Sequence, residues 1–187
     1  MIWILNTILV TTDFSCSINY EFISKGNNVL ALLKSTLSQA PNASNIRVMN
    51  QYFNNSHLLG YNKYDDISLY GFVEPRFMNT LLQPTNGMTS LYQIIIESAN
   101  RIINFDKTFN NIKNTFIVLS DRQNTVDNFK FALAKQAIQS MNNYGINTYF
   151  FTYGIDLYNH GQNLGFKTVV DVMTANNLTN IFQNIAC

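Results

Sequence analysis

Acidic and hydroxyl side chains occupy three short segments that lie far apart in the sequence. Asp13, Ser15 and Ser17 alternate in "DFSCS", just after the apolar run "MIWILNTILV". Asp121 follows the apolar "FIVLS", and Thr89 stands in "NGMTS". Hard oxygen donors without imidazole or thiolate suit Mg²⁺, Mn²⁺ or Ca²⁺ and make a poor zinc site. These five side chains are therefore candidate metal ligands, provided that the fold brings them together.

Hydrophobic patterning predicts the elements that must position these side chains. Strands are predicted at 2–11, 46–53, 67–73, 115–120, 146–154 and 167–173. Helices are predicted from about 20 to the "APN" at 40–42, and over 88–105, 126–145 and 176–186. The segment 2–11 is apolar with little alternation, which is typical of a central strand that is covered on both faces.

Strands separated by helices predict an α/β fold. We expect a single doubly wound, mainly parallel sheet with helices on both faces. The segments 46–53 and 67–73 flank a long polar loop, which favours one antiparallel edge strand. Since 187 residues with 47% hydrophobic side chains can fill one sizeable core, we expect the whole chain, 1–187, to form one domain.

A sheet of this class binds its ligands at one edge. The crevice lies at the carboxyl ends of the strands, where the winding direction reverses. Asp13 and Asp121 each follow a predicted buried strand, and Thr89 stands in the turn that opens a helix. We therefore expect the three segments to meet at that edge.

The same residues carry a resemblance to a known family. "DFSCS" resembles the D-x-S-x-S signature of von Willebrand factor type A domains. "NGMTSLYQII" and "FIVLSDR" resemble that family's threonine segment and second-aspartate segment, and all three stand in the family's order. The resemblance spans nearly the whole chain and implies a Rossmann-like α/β fold with a metal-ion-dependent adhesion site.

The resemblance also implies how the site would work. Ser15 and Ser17 would be direct ligands of a divalent cation, Mg²⁺ or else Mn²⁺ or Ca²⁺. Asp13 and Asp121 would act largely through bound water, and Thr89 directly or through water. Two carboxylates roughly neutralise a dication, so that an Asp or Glu carboxylate of a partner protein can be the last ligand. The implied function is metal-dependent protein binding and not catalysis.

Three positions depart from the family's pattern. Cys16, Met88 and Arg122 stand where the family usually has glycine. Each larger side chain is expected to alter the geometry of its loop without removing a ligand oxygen. Arg122 has three interpretations: it neutralises Asp121 and weakens cation binding, it offers a fork for a partner's carboxylate, or it is an inert surface residue.

Simpler interpretations exist for each motif. Asp and Ser after a strand commonly cap the following helix, and Thr89 fits the same role. His57 and His160 are isolated, without ligand or triad spacing. The segment 153–163 is interpreted as a loop on the ligand edge, either simply solvated or bordering the site through Asp156, Tyr158 and His160.

Composition bears on partners and compartment. A net charge of +1 with 12% charged residues offers no basic stripe for nucleic acid. No stretch reaches the roughly 20 apolar residues of a membrane-spanning helix, and the apolar start lacks a basic region and a cleavage site. We expect a soluble, cytoplasmic protein that binds neither nucleic acid nor membrane; a phage or viral origin also fits the composition. Nothing in the sequence indicates the oligomeric state.

Two other functional classes stay open beside the binding module. An Asp directly after the first strand also occurs in phosphotransfer folds, where Asp13 would be the nucleophile and Asp121 a metal ligand. A phosphotransfer site of this type would also require a distinct lysine and a second acidic residue at position 15. This chain has Ser at position 15. The other class is a metal-free scaffold whose altered loops bind no cation.

Overall fold

The computed structural model describes residues 5–13, 20–53, 58–59, 72–80, 89–108, 111–121 and 128–187. Within these ranges six strands form one sheet. In chain order they are β1 (Leu5–Asp13), β2 (Ile46–Phe53), β3 (Leu58–Leu59), β4 (Ile112–Ser120), β5 (Asn147–Thr152) and β6 (Thr168–Asp171). The order across the sheet is β3-β2-β1-β4-β5-β6. Only β3 pairs antiparallel, with β2, and the other pairings are parallel.

This sheet confirms the predicted fold class, including the antiparallel edge. The edge strand β3 lies within the segment that was predicted to be a polar loop. Of the strand predicted at 67–73, residues 67–71 lie outside the described residues. Val73 makes one antiparallel bridge to Val48 of β2, with N–O distances of 2.8 and 2.9 Å.

Helices cover both faces of the sheet. They are α1 (Tyr20–Gln39), α2 (Leu91–Thr108), α3 (Phe131–Asn143), α4 (Ile155–Leu164) and α5 (Leu178–Ala186). Side chains alternate between the faces along each strand, so β1 contributes to two cores. Ile8 and Val10 pack with α1 and α5, whereas Leu9 packs with α2, α3 and α4. An apolar run without alternation is therefore the correct pattern for this strand.

Helix α4 corrects the sequence prediction, because residues 155–164 form a helix and not a loop. Its buried face consists of Leu157, Gly161 and Leu164. Gly161 lies so close to the sheet that a Cβ atom there would stand 2.4 Å from Cδ1 of Phe150. Close packing therefore stabilises a segment whose glycine, asparagine and histidine residues have low helix propensity.

The last helix is fastened to the first strand. Asn6 in β1 donates a hydrogen bond from Nδ2 to the carbonyl oxygen of Ile185, at 2.9 Å. Asn42 donates from Nδ2 to the carbonyl oxygen of Ala186, at 2.8 Å. These side chains satisfy carbonyl groups that have no partner within the helix at its carboxyl end.

In the part of the chain that the structure describes, no helix is both long and apolar enough to cross a bilayer. The expectation that the whole chain is one domain stays a prediction.

Candidate functional site

The carboxyl ends of β1 and β4 are joined by a buried side-chain hydrogen bond. Asp13 is the last residue of β1, and Ser120 is the last residue of β4. The parallel register pairs Thr12 with Leu119, which places Asp13 beside Ser120. Ser120 Oγ donates to Asp13 Oδ2 at 2.7 Å, and the two residues are 0% and 2% exposed. Asp13 is therefore a carboxylate held in a defined position at the edge where ligands were expected.

Asp121 lies directly after β4 and is half-buried. Tyr153 comes directly after β5, which is the strand beside β4 in the sheet, and the charge of Asp121 acts on its phenol group. Burial raises the pKa of the Tyr153 phenol, and the negative charge of Asp121 raises this pKa further. Tyr153 is thus a neighbour of the candidate site that the sequence analysis did not identify, since only the order of the strands brings the two residues together.

Thr89 is fully buried and precedes α2 by two residues. The carbonyl oxygen of Ser90 accepts a hydrogen bond from the Ile94 amide at 3.2 Å, which begins the helix. The end of α2 leads directly into β4 and therefore lies at the amino edge of the sheet. The first turn of α2 lies at the opposite end of the helix, which is the carboxyl edge of the sheet. The structure therefore brings Thr89 to the same edge as Asp13 and Asp121.

A buried polar cluster fixes α2 against the sheet. Gln51 in β2 donates from Nε2 to Thr11 Oγ1 in β1 at 2.7 Å and to Ser98 Oγ in α2 at 2.9 Å. Gln51 is 5% exposed, and the other two residues are 0% exposed. A single amide thus links the strand that ends in Asp13 to the helix that follows Thr89.

The remaining candidates lie outside the described residues. These are the predicted ligands Ser15 and Ser17, the three departures Cys16, Met88 and Arg122, and His57. The complete set of five ligands therefore stays a prediction. Within the described ranges no three His, Cys, Asp or Glu side chains come together. The predicted site itself contains only two carboxylates, Asp13 and Asp121, and draws its other oxygens from hydroxyl groups.

A third aspartate, Asp171, organises the far side of this edge. Asp171 ends β6, and its Oδ1 accepts hydrogen bonds from the backbone amides of Gly154 and Met173, both at 3.0 Å. Gly154 has a φ of 95°, which favours glycine. The carboxylate holds the start of α4 and the turn after β6 together. In the sequence, the residue that has this role is recognisable only as an Asp near the carboxyl end of a predicted strand.

His160 belongs to a packed aromatic cluster. Its ring lies 5.7 Å from the rings of Tyr92 in α2 and Phe131 in α3, between ring centroids. The Tyr92 hydroxyl and His160 Nε2 are 3.1 Å apart. Burial lowers the pKa of His160. The residue was considered for the border of the metal site, but its observed contacts are with the helices beside that edge.

The other two residues considered for this border also lie on α4. Asp156 is exposed in its first turn, and Tyr158 is half-buried.

No family model and no curated protein sequence matches this chain. Solved structures match over nearly its whole length at low identity. Proximal thread matrix protein 1 from the mussel byssus has a TM-score of 0.59 at 14% identity, over 97% of this chain and 45% of that one. The manganese-loaded TRAP protein of Plasmodium vivax has a TM-score of 0.67 at 15% identity, over 96% and 73%.

The pilus adhesin SpaC from Lactobacillus rhamnosus GG has a TM-score of 0.68 at 9% identity, over 97% of this chain and 30% of that one. The chain thus spans less than half the length of the mussel protein and of the pilus adhesin. These neighbours are proteins with von Willebrand factor type A domains, and identities this low show a shared fold alone. The chain therefore has the von Willebrand factor type A fold that its motifs predict.

Proposed function

We propose that this chain is a protein-binding module that works through a bound divalent cation, Mg²⁺ or else Mn²⁺ or Ca²⁺. Ser15 and Ser17 would bind the cation directly, and Thr89 directly or through water. Asp13 and Asp121 would act largely through bound water. The cation would supply an open position for an Asp or Glu carboxylate of a partner protein. No covalent bond changes in this role, so the module is not an enzyme.

The observation that carries this proposal is the burial of Asp13 at the carboxyl end of β1. A carboxylate that is 2% exposed is costly unless positive charge or hydrogen bonds compensate for its lost hydration. Ser120 supplies one hydrogen bond, and Asp121 stands on the neighbouring strand end. A dication at this edge would compensate both negative charges, and the hydroxyl-rich donor set fits a hard cation.

The structural neighbours support this role. One was solved loaded with manganese, one is a pilus adhesin and one is a matrix protein of the mussel byssus. Adhesive and matrix proteins bind other macromolecules, which agrees with a binding module on the same fold. No observation on the described residues favours the phosphotransfer alternative.

Calorimetric titration of the metal-stripped protein with Mg²⁺, Mn²⁺ and Ca²⁺ tests the metal site. We expect saturable binding to the wild type, and binding weakened by about tenfold or more in Asp13→Asn and in Thr89→Val. Asp156→Asn is the matched control, because Asp156 is an exposed carboxylate in the first turn of α4, at the same edge. It should bind the cation as the wild type does.

Titration in added acetate covers the case in which a partner's carboxylate is needed to complete the coordination. A wild-type protein that binds no cation even in acetate contradicts the proposal and supports the metal-free scaffold. Equal affinity in the Asp13 and Asp156 variants also contradicts it. Circular dichroism of every variant separates loss of the site from loss of the fold. Mg²⁺-dependent phosphatase turnover that Asp13→Asn abolishes would instead support the phosphotransfer alternative.

A further inference from the structure

The outer side of β6 is an open edge of the sheet. This strand stands last in the strand order, and among the described strands it pairs with β5 alone. An open edge presents backbone N–H and C=O groups to which another strand can pair. The positions of the available groups decide what kind of strand the edge accepts.

Alternate residues of β6 direct their backbone groups toward β5 and away from it, as in any parallel pair. The Val172 amide donates to the carbonyl oxygen of Thr152 at 2.9 Å, and Thr152 stands opposite Asp171. The backbone groups of Asp171 therefore point away from β5. Those of Val169, two positions earlier, point the same way.

Two of the groups on this outer side are already used inside the protein. The Asp171 carbonyl accepts two amides of the turn that follows, at 3.0 and 3.2 Å, and the Lys167 amide donates to Thr148 Oγ1 at 3.0 Å. The Lys167 carbonyl still points outward, because it belongs to the same peptide unit as the Thr168 amide, which faces β5. The edge therefore offers the amides of Val169 and Asp171 as donors, and the carbonyls of Lys167 and Val169 as acceptors.

These donors and acceptors are self-complementary. Positions 167 and 171 lie equally far from 169, so an antiparallel copy of the same strand, centred on Val169, sets every donor opposite an acceptor. The two Val169 residues exchange both of their hydrogen bonds, and each Asp171 amide meets the Lys167 carbonyl of the other copy. We propose that the chain forms a two-fold symmetric dimer by pairing β6 with β6 of a second copy.

The charged side chains favour the same register. Lys167 of each copy stands opposite Asp171 of the other, and opposite charges stabilise cross-strand pairs. Lys167 Nζ donates to the Ile146 carbonyl at 3.0 Å, and the ammonium group has two further N–H donors for the carboxylate. A lysine at a sheet edge commonly blocks pairing, whereas here an acidic residue stands at the position that meets it.

The helices beside β6 add little charge of their own. Helix α5 contains no acidic or basic side chain, and the one carboxylate of α4 is Asp156, in its first turn. Like-charge repulsion between the flanking helices of two copies is therefore small.

Antiparallel pairing turns the carboxyl edges of the two sheets in opposite directions. A dimer of this kind would hold one partner protein at each end and so connect two partners. This consequence rests on the proposed function, whereas the dimer itself does not.

Sedimentation velocity over protein concentrations from about 1 μM to 1 mM tests the dimer. Pairing over a strand of 4 residues is a small interface, so we expect a monomer at the low end and a dimer at the high end. No larger species should form, because the pairing uses the open side of β6 in both copies.

Two variants test the pairing itself. Val169→Pro removes the central donor without breaking a hydrogen bond to β5, and should raise the dissociation constant about tenfold or more. Lys167→Glu sets like charges opposite each other and should raise the constant by a similar factor, most strongly at low salt. Lys135→Glu is the matched control, because it makes the same charge change at an exposed position of α3 and should dimerise as the wild type does.

Disulfide cross-linking tests the register. In a Cys16→Ser, Cys187→Ser background, Val169→Cys should form a covalent dimer on oxidation. Opposite residues of a hydrogen-bonded antiparallel pair have Cα atoms about 5.5 Å apart, a distance that a disulfide spans. Lys167→Cys is the matched control on the same edge, since its two copies would stand roughly 13 Å apart along the strands and should not cross-link.

A wild-type protein that stays monomeric at every concentration overturns the proposal and leaves the edge to an extended segment of another protein. A dimer that both Val169→Pro and Lys167→Glu leave unchanged also overturns it, as does equal cross-linking at positions 167 and 169. Circular dichroism checks the fold of each variant, and if Val169→Pro does not fold, Lys167→Glu and the cross-link still decide. Titration with Mg²⁺ separates the two proposals, because a protein that dimerises but binds no cation contradicts the metal role alone.

Discussion

Ser120 Oγ donates a hydrogen bond of 2.7 Å to Asp13 Oδ2, and this bond joins the carboxyl ends of two adjacent parallel strands. Both residues are almost completely buried. A buried carboxylate with a hydrogen-bonded oxygen has a fixed orientation, because turning it away would leave the hydroxyl and the carboxylate without this interaction. The position of Asp13 therefore depends on a residue outside the D-x-S-x-S motif.

Replacement of Ser120 by Ala tests this dependence. We expect the free energy of unfolding to fall by about 1–3 kcal/mol, since the buried Asp13 carboxylate loses a donor. We also expect weaker binding of Mg²⁺ by the folded variant. Urea denaturation and calorimetric titration measure the two effects. Ser140→Ala, at an exposed position of α3, is the control and should change neither quantity.

The amide of Gln51 provides a second test, on the link between β1 and α2. Gln51→Met keeps the approximate volume but removes the donor to Thr11 and Ser98, so two buried hydroxyl groups lose a partner. The expected loss is about 1–3 kcal/mol in urea denaturation. Adding Thr11→Val and Ser98→Ala should recover part of the loss, because the polar groups are then removed together. A triple variant whose cost equals the sum of three single costs would show that the cluster does not act as a unit.

Gly161 should be intolerant of a side chain. In Gly161→Ala the new Cβ atom would stand 2.4 Å from Cδ1 of Phe150, so the helix must move away from the sheet. Overpacking of this kind costs about 1–3 kcal/mol, although alanine favours helix more than glycine does. The free energy of unfolding from urea denaturation measures the cost. The penalty should shrink in a Phe150→Leu background, and an equal penalty in both backgrounds would argue against the contact as its cause.

We expect His160 to make the free energy of unfolding depend on pH. Burial lowers the pKa of this residue in the folded state, so the unfolded chain binds its proton at higher pH than the folded chain does. Stability should therefore be fully present above the unfolded pKa of about 6.5 and should fall as the pH drops below it. Melting temperatures measured between about pH 7.5 and pH 5.5 should fall in the wild type and fall less in His160→Gln. Identical pH profiles would assign the effect to other groups.

Hydrophobic patterning was sufficient to predict the described strands other than β3 and the described helices other than α4. The apolar run that includes Ile8, Leu9 and Val10 has no alternation, and the structure shows why, since neighbouring residues fill different cores. The strand at 115–120 was predicted three residues too short, because Ile112, Lys113 and Asn114 extend β4 with mixed polarity. Such strand ends are defined by pairing with β1, which a single sequence does not display.

Helix α4 and the Ser120 contact could not be predicted in the same way. Gly154, Gly161 and Gly165 favour turns in isolation, and α4 forms because its buried face packs on the sheet. The bond between Ser120 and Asp13 requires the exact register of two strands separated by 107 positions in sequence. The sequence predicted that Asp13, Thr89 and Asp121 would lie at one edge of the sheet, whereas the contacts that hold Asp13 in place are visible only in the fold.

The hydrogen bond from Asn6 to the carbonyl group of Ile185 places the first strand beside the end of the last helix. This proximity makes the fold suitable for insertion into a longer polypeptide. A chain that enters the fold near residue 6 leaves it near residue 185, only a few ångströms away. Neighbouring entry and exit points allow a unit to be inserted into a surface loop of another protein without stretching that loop. They also allow a circular permutant in which a short peptide joins the two segments and new termini are opened elsewhere.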